Sequence, residues 1–336
     1  MTDTVPGRPA IPAGPAADPP PDRRHEPPSG SEARPARRRM SPMRRREALL
    51  FYLFISPWVV GFVVFLLGPM VASIYLSLTD WDSFTEPVFV GLENYVRLLT
   101  DDPVFWQSVG NTFVYALVAV PLGMIIALGL ANLLNKQVRG RRFFRTVIYL
   151  PALVPIVAGA LIFKMVLAPD AGILNRGLGL LGITGPHWLL DPFWVKPAII
   201  LLSLWGTGGA TVLLLAAMKG IPRELYEAAE LDGASGFQQF WRITVPQVTP
   251  VLFFNLILGL IGAFQVFGQV YIMTGGGPDN ASQMIVPLLF SEAFEFFHMG
   301  YASAMSWILF LIVLGFTLIA FRTSRLWVFY EAEVDR

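Results

Sequence analysis

Six apolar runs, near residues 50–78, 107–135, 144–167, 197–218, 248–273 and 301–322, decide what this chain can become. At about 1.5 Å of helical rise per residue, each is long enough to cross a hydrocarbon core of roughly 30 Å. Their interior prolines (Pro57, Pro69, Pro121, Pro151 and Pro155) are tolerable in such segments because neighbouring helices re-satisfy freed backbone groups. Trp81, Trp106 and Trp194 fall near the expected ends, where aromatic belts form. The chain is 15% charged and 54% hydrophobic, whereas soluble domains carry about a quarter charged residues. The reading is an all-α integral membrane protein with a six-span domain over residues 49–325 and a short tail over 326–336.

Residues 1–48 carry eleven of the 27 prolines, ten arginines and no aromatic residue. Such a segment cannot bury enough apolar surface to offset its ordering entropy, so it is expected to be a disordered leader. It is too long and polar for a secretory signal, and no A-x-A pattern follows the first run. The arginine clusters 37–39 and 44–46 stand directly before that run. They read as a topology anchor, with a nucleic-acid- or lipid-recognising tail as the alternative.

Positive charge is distributed very unevenly. The leader holds ten, Lys136–Arg145 five, the stretch 219–250 three and the tail three, which is 21 of the 25 lysines and arginines. Arg97, Lys164, Arg176 and Lys196 remain for the other side. By the positive-inside rule both termini and the 219–250 stretch are expected in the cytoplasm, and residues 79–106, 168–196 and 274–300 outside.

Several function classes lose support. Cysteine is absent, and His25, His187 and His298 show no metal-ligand spacing, which argues against metal and redox chemistry. No Asp or Glu lies within the six runs, although ion-coupled carriers usually need intramembrane carboxylates. There is no phosphate loop, and no serine–histidine–aspartate set assembles on one side. A membrane-spanning chain without an energy source of its own points to a subunit powered by a partner.

The stretch Lys219–Pro250 is patterned like structure. Gly220 is a candidate left-handed end for the preceding helix, and Pro222 suits the first turn of a new one reaching Asp232. Gly233 sits where a C-terminal cap is wanted. Ser235 and Gln238 form a capping box for a second short helix through Trp241, which Pro246 is expected to stop. Two short helices joined at a glycine, outside the bilayer, need a partner surface.

Glu227-Ala228-Ala229, three residues, Gly233, nine residues, then Ile243-Thr244-Val245-Pro246 resembles the EAA loop of ABC importer permeases, E-A-A-x3-G-x9-I-x-L-P. Val245 replaces the usual leucine. Val90–Tyr95, Asp102–Trp106, Asn111-Thr112, Thr274–Pro278 and Gly300–Ala304 resemble blocks of the carbohydrate-uptake permeases, the maltose and glycerol-3-phosphate-like group. The resemblance implies the type I importer permease fold, with residues 219–246 as a cytoplasmic coupling loop. It implies a second permease, two ABC ATPase subunits that use ATP-Mg, and an extracytoplasmic solute-binding protein. No cofactor is expected on this chain, nor nucleic acid as a partner, and the setting implied is a prokaryotic cytoplasmic membrane. The solute class implied is sugars, polyols or glycerol phosphates. Leu225, Glu227, Ala228, Ala229, Gly233, Ile243 and Pro246 would then couple the chain to an ATPase, with Leu225, Ala228 and Ala229 on one side of the first short helix. The alternative is a self-contained channel or secondary carrier with a docking loop.

A neutral solute site would combine amides with aromatic faces. In the fifth run Gly262, Gln265 and Gln269 are expected on one helical face, flanked by Phe264 and Phe267. In the fourth, Trp205 and Thr207 stand among glycines. These residues fit a solute pathway, and they fit helix packing as well, since small residues let spans approach and buried amides bond between helices.

Overall fold

The structure is a computed structural model that describes residues 42–136 and 139–329. Most of the expected leader, residues 1–41, therefore lies outside the described residues, as does the end of the tail from residue 330. The chain divides into two units at Val60. The first is helical from Pro42 onward, so helix begins inside the stretch expected to be leader. That helix, α1 (Pro42–Phe62), passes through a π-helical segment at Val63–Leu67 into α2 (Gly68–Ser77).

The second unit is helical almost throughout. A two-residue antiparallel hairpin, β1 (Thr79–Asp80) with β2 (Val88–Phe89), precedes α3 (Glu93–Thr100) and the long α4 (Pro103–Asn135). Asp102 caps α4 by accepting from the Phe105 amide, and Pro103 sits in the first turn, where its missing N–H is not needed. One face of α4 buries Ala116, Ala119, Gly123, Ala127 and Ala131, so small residues recur every three or four positions. That stripe lets α8 (Val195–Trp205), α9 (Gly208–Gly220) and α12 (Val245–Phe264) approach closely.

Among the described residues four helices are long and apolar enough to cross a membrane: Leu49–Ser77, Pro103–Asn135, Gly236–Phe264 and Met299–Ser324. The third and fourth runs are each broken. α5 (Arg141–Leu153) and α6 (Ile156–Val166) are bent by 102°, and α8 and α9 by 45°. The first break follows from Pro155, which drives Val154 into extended backbone with ψ 126°. Counting each bent pair as one span gives six, as the sequence leads one to expect.

The fifth run is also not one helix over 248–273. α12 ends at Phe264, and α13 (Gly268–Met273) starts a new helix after a break at which Phe267 has φ −131° and ψ −70°. α7 (Ile173–Leu180) packs on α6, and α14 (Ile285–Phe290) packs on α4 and the last helix. The last helix, α15 (Met299–Ser324), is followed by chain that folds back onto α12. Val328 is buried against Phe253, and the Phe329 amide donates to Thr249 Oγ1 at 2.9 Å.

Candidate functional site

The 219–250 stretch forms the expected first short helix and glycine turn, whereas the expected second short helix is the start of a helix that runs on to Phe264. α9 runs to Gly220, which is helical rather than left-handed; the helix ends because Pro222 holds Ile221 extended at ψ 126°. Pro222 is accordingly the cap residue, and α10 (Arg223–Leu231) starts one residue later than expected. Gly233 takes φ +77°, which other residues rarely adopt. Its N–H bonds to Glu230 O at 3.0 Å while the Ala234 N–H bonds to Ala229 O at 2.9 Å, the paired bonds of a Schellman end. The capping box is present: Ser235 N donates to Gln238 Oε1 at 2.7 Å, and Gln238 N to Ser235 Oγ at 3.4 Å.

Pro246 does not stop the second helix. α11 (Gly236–Gln239) passes through a π-helical turn at Phe240–Thr244 directly into α12, giving one helix from Gly236 to Phe264. The wider turn, with the Val245 N–H bonded to Phe240 O, sits where the proline lacks a donor and its ring crowds the preceding turn. Tyr226 Oη and Thr244 Oγ1 are hydrogen-bonded at 2.8 Å, and Ile221, Tyr226, Phe240 and Ile243 pack on a core of Leu214, Leu215, Met218 and Val248. Ile243 thus faces inward and braces the loop.

Glu227, Ala228 and Leu225 are exposed, whereas Ala229 turns partly inward. With Gly233, Gln239 and Arg242 it lines a cavity of about 280 Å³ in the crook between α10 and α11. Leu231 is 90% exposed and Phe237 73% exposed, apolar side chains displayed at the tip of the loop.

A second cavity, of about 390 Å³, lies among α4, α8, α9 and α12. Tyr115, Ser203, Thr207 and Asn255 give it polar groups; Gly123, Gly259 and Gly262 give it width. Tyr115 Oη and Ser203 Oγ are hydrogen-bonded at 2.7 Å, and Gln269 Nε2 donates to both. Gln269 is 4% exposed, so its amide is a buried partner behind Tyr115 and Ser203, two residues of the cavity wall. Asn255 donates to Val251 O at 2.9 Å.

Of the sequence-selected residues, Gly262 and Thr207 line this cavity and Gln269 supports it. The others do not line it. Gln265 is exposed at the end of α12 with no side-chain hydrogen bond among the described residues, because the helix break changes the phase between it and Gln269. Phe264 is 1% exposed, packed between Phe113 and Phe316 in the core. Phe267 stacks on Tyr271 and meets Phe290, and Trp205 packs on Phe163. Tyr115, Ser203 and Asn255 were missed, although a polar group inside an apolar run is itself a signal, since it must find a partner there.

At the end of the unit formed by α3, the 274–284 loop and the start of α15, the remaining blocks serve as fasteners. Asn94 Nδ2 donates to Ser77 O and Thr79 O, at 3.0 and 2.9 Å. Tyr301 Oη donates to Asp102 Oδ2 at 2.6 Å, beneath the Arg97 guanidinium at 4.4 Å from its ring. Gly300 is required by space, because a Cβ there would stand 1.9 Å from Thr79 O. Asn111 Nδ2 reaches Asn280 O and Gln283 O, both at 2.9 Å, tying the glycine-rich loop to α4. Among the described residues no cluster of His, Cys, Asp and Glu suited to a metal ion occurs.

The model of a family described as "Binding-protein-dependent transport system inner membrane component" matches residues 119–326. The chain is 41% identical to "Probable ABC transporter permease protein YesP" of Bacillus subtilis over 87% of this chain and 95% of that one. It is 37% identical to the trehalose/maltose transport system permease protein MalF of Thermococcus litoralis, over 85% and 97%. The lactose transport system permease protein LacF of Rhizobium radiobacter is 36% identical over the same shares. Among solved structures, a chain of a bacterial ABC transporter involved in import of the acidic polysaccharide alginate superposes with a TM-score of 0.75 at 25% identity, over 84% of this chain and 97% of that one.

Proposed function

This chain belongs to the family of binding-protein-dependent transport system inner membrane components, and from that premise we propose that it forms half of an ATP-driven pathway that imports a sugar or a related polyol or glycerol phosphate. Its fold is the all-α type I ABC importer permease fold. The partners of the reading are a second permease, two ABC ATPases that hydrolyse ATP-Mg, and an extracytoplasmic solute-binding protein. The charge distribution supports an orientation with the 219–250 loop in the cytoplasm.

One observation carries the mechanism: the loop is rigidly continuous with α12. Leu225, Glu227 and Ala228 are exposed for a partner groove, while the Schellman end at Gly233 and the Tyr226–Thr244 bond fix the crook. The helix from Gly236 to Phe264 then runs from the crook to the wall of the central cavity, at Asn255, Gly259 and Gly262. Closure of an ATPase pair against the crook would displace this helix as a body and reshape the cavity. Small residues on α4 and α12 permit that sliding contact.

The cavity's chemistry favours a neutral, hydroxyl-rich solute. Tyr115, Ser203, Thr207 and Asn255 offer hydroxyl and amide groups, and no carboxylate or ammonium lines the space. Reconstituting the complex with its ATPase tests the reading: Gly233→Asp, or Ala228→Glu with Glu227→Leu, should abolish uptake and ATPase association. Normal uptake by either variant at wild-type expression would remove the loop from the coupling path.

A further inference from the structure

Apart from the loop and the central cavity, one slot joins cationic and apolar groups in a graded order. Lys136, Arg139, Arg141, Arg142 and Arg145 stand within ten residues that contain no acid, and none of them forms an ion pair among the described residues. α5 carries the last three. It is bent by 102° from α6 and exposes apolar Phe143, Phe144, Val147 and Leu150 beside its arginines. The arginines therefore stand at the entry of the third span, where a basic stretch beside apolar helix faces the anionic headgroups of the cytoplasmic leaflet.

Between α5 and α9 lies a cavity of about 450 Å³ lined by Arg145, Thr146, Tyr149, Leu150, Leu153 and Val212. The lining passes from a guanidinium to pure hydrocarbon over about 12 Å of helix. Thr146 spends its hydrogen on Arg142 O at 3.1 Å, whereas Arg145 and Tyr149 have no hydrogen-bond partner among the described residues and remain free donors.

We infer that this slot holds an anionic phospholipid of the cytoplasmic leaflet, its phosphate on Arg145 and the Tyr149 hydroxyl and an acyl chain along Leu150, Leu153 and Val212. The assignment rests on the orientation proposed above. It has a mechanical consequence, since α9 leads straight into the coupling loop. A lipid wedged between α5 and α9 braces the helix that carries the loop.

The test uses the whole importer complex in nanodiscs containing phosphatidylglycerol and phosphatidylethanolamine, with tightly bound lipid measured by native mass spectrometry after detergent exchange. Wild type should retain phosphatidylglycerol preferentially. Arg145→Gln should lower that preference about fivefold, the expected share of one arginine near a membrane surface. Val212→Trp, which fills the slot without touching charge, should lower it as well, while Arg325→Gln at the end of α15 should not. Subunit co-purification and solute uptake, measured on the same preparations, report assembly and permease function separately, and cysteine labelling reports orientation separately. Equal phosphatidylglycerol retention by wild type and both slot variants overturns the inference. So does a Leu153→Cys cross-link to the second permease, which would show that protein fills the slot.

Discussion

Tyr226 and Thr244 are joined by a hydrogen bond of 2.8 Å across the base of the 219–250 loop, eighteen residues apart in sequence. This bond ties α10 to the helix that continues into the membrane domain. Force applied to α10 therefore reaches α12 through a closed crook rather than a flexible hinge.

Tyr226→Phe removes that bond while keeping the ring packed on Met218 and Val248. The expected local loss is about 1 kcal/mol, the usual net value of such a bond. ATPase association should survive, and solute uptake per ATP hydrolysed should fall several-fold. Reconstituted vesicles in which both rates are measured decide this; an unchanged ratio would show that the crook needs no such tie.

In the central cavity, Tyr115→Phe leaves Gln269 Nε2 with Ser203 as its hydroxyl partner and strips a donor from the wall. A cost of about 1.4 kcal/mol would raise the solute concentration for half-maximal uptake about tenfold. Gln265→Leu should leave uptake kinetics unchanged, because Gln265 is not among the residues that line the central cavity. Transport assays on the two variants side by side separate the cavity from the amide face expected from sequence.

That contrast shows where the sequence was legible. Run lengths gave the spans, and the Gly233 and Ser235–Gln238 signals gave the loop, because each depends on local backbone chemistry. Gln265 and Gln269 were placed on one face by assuming unbroken helical phase, and the break at 265–267 is set by packing that periodicity does not carry. Pro246 misled for a related reason: a π-helical turn lets the helix pass it. Pro155 was expected to be tolerated within an unbroken third span, but it holds Val154 extended and the run is bent by 102° there. Tyr115 is a single polar residue in a long apolar helix, and its role appears only once Ser203 and Gln269 are brought beside it.

Gly300→Ala should disturb the end of the domain built by α3 and α15. The added methyl would stand 1.9 Å from Thr79 O, so backbone must move. Overpacking of this kind costs about 1–3 kcal/mol. The aggregation temperature of the purified complex in detergent should fall by several degrees, and an unchanged temperature would mean that the β1–α15 contact is readily rearranged.

The chain has no cysteine, so orientation can be read with single introduced thiols. Leu231→Cys should react with a membrane-impermeant maleimide only in inside-out vesicles, and Phe84→Cys only in right-side-out ones. The opposite pattern would place the loop on the outer side.

The most direct test of the coupling account is a cross-link from the loop to the ATPase. Ala228→Cys is exposed on α10, and in the assembled importer a short thiol-reactive photo-cross-linker there should capture the ATPase subunit in high yield. The same reagent on Phe84→Cys should capture none, and adding Gly233→Asp should abolish the adduct at Ala228→Cys together with uptake. A transport-competent Ala228→Cys importer that yields no ATPase adduct would contradict the account.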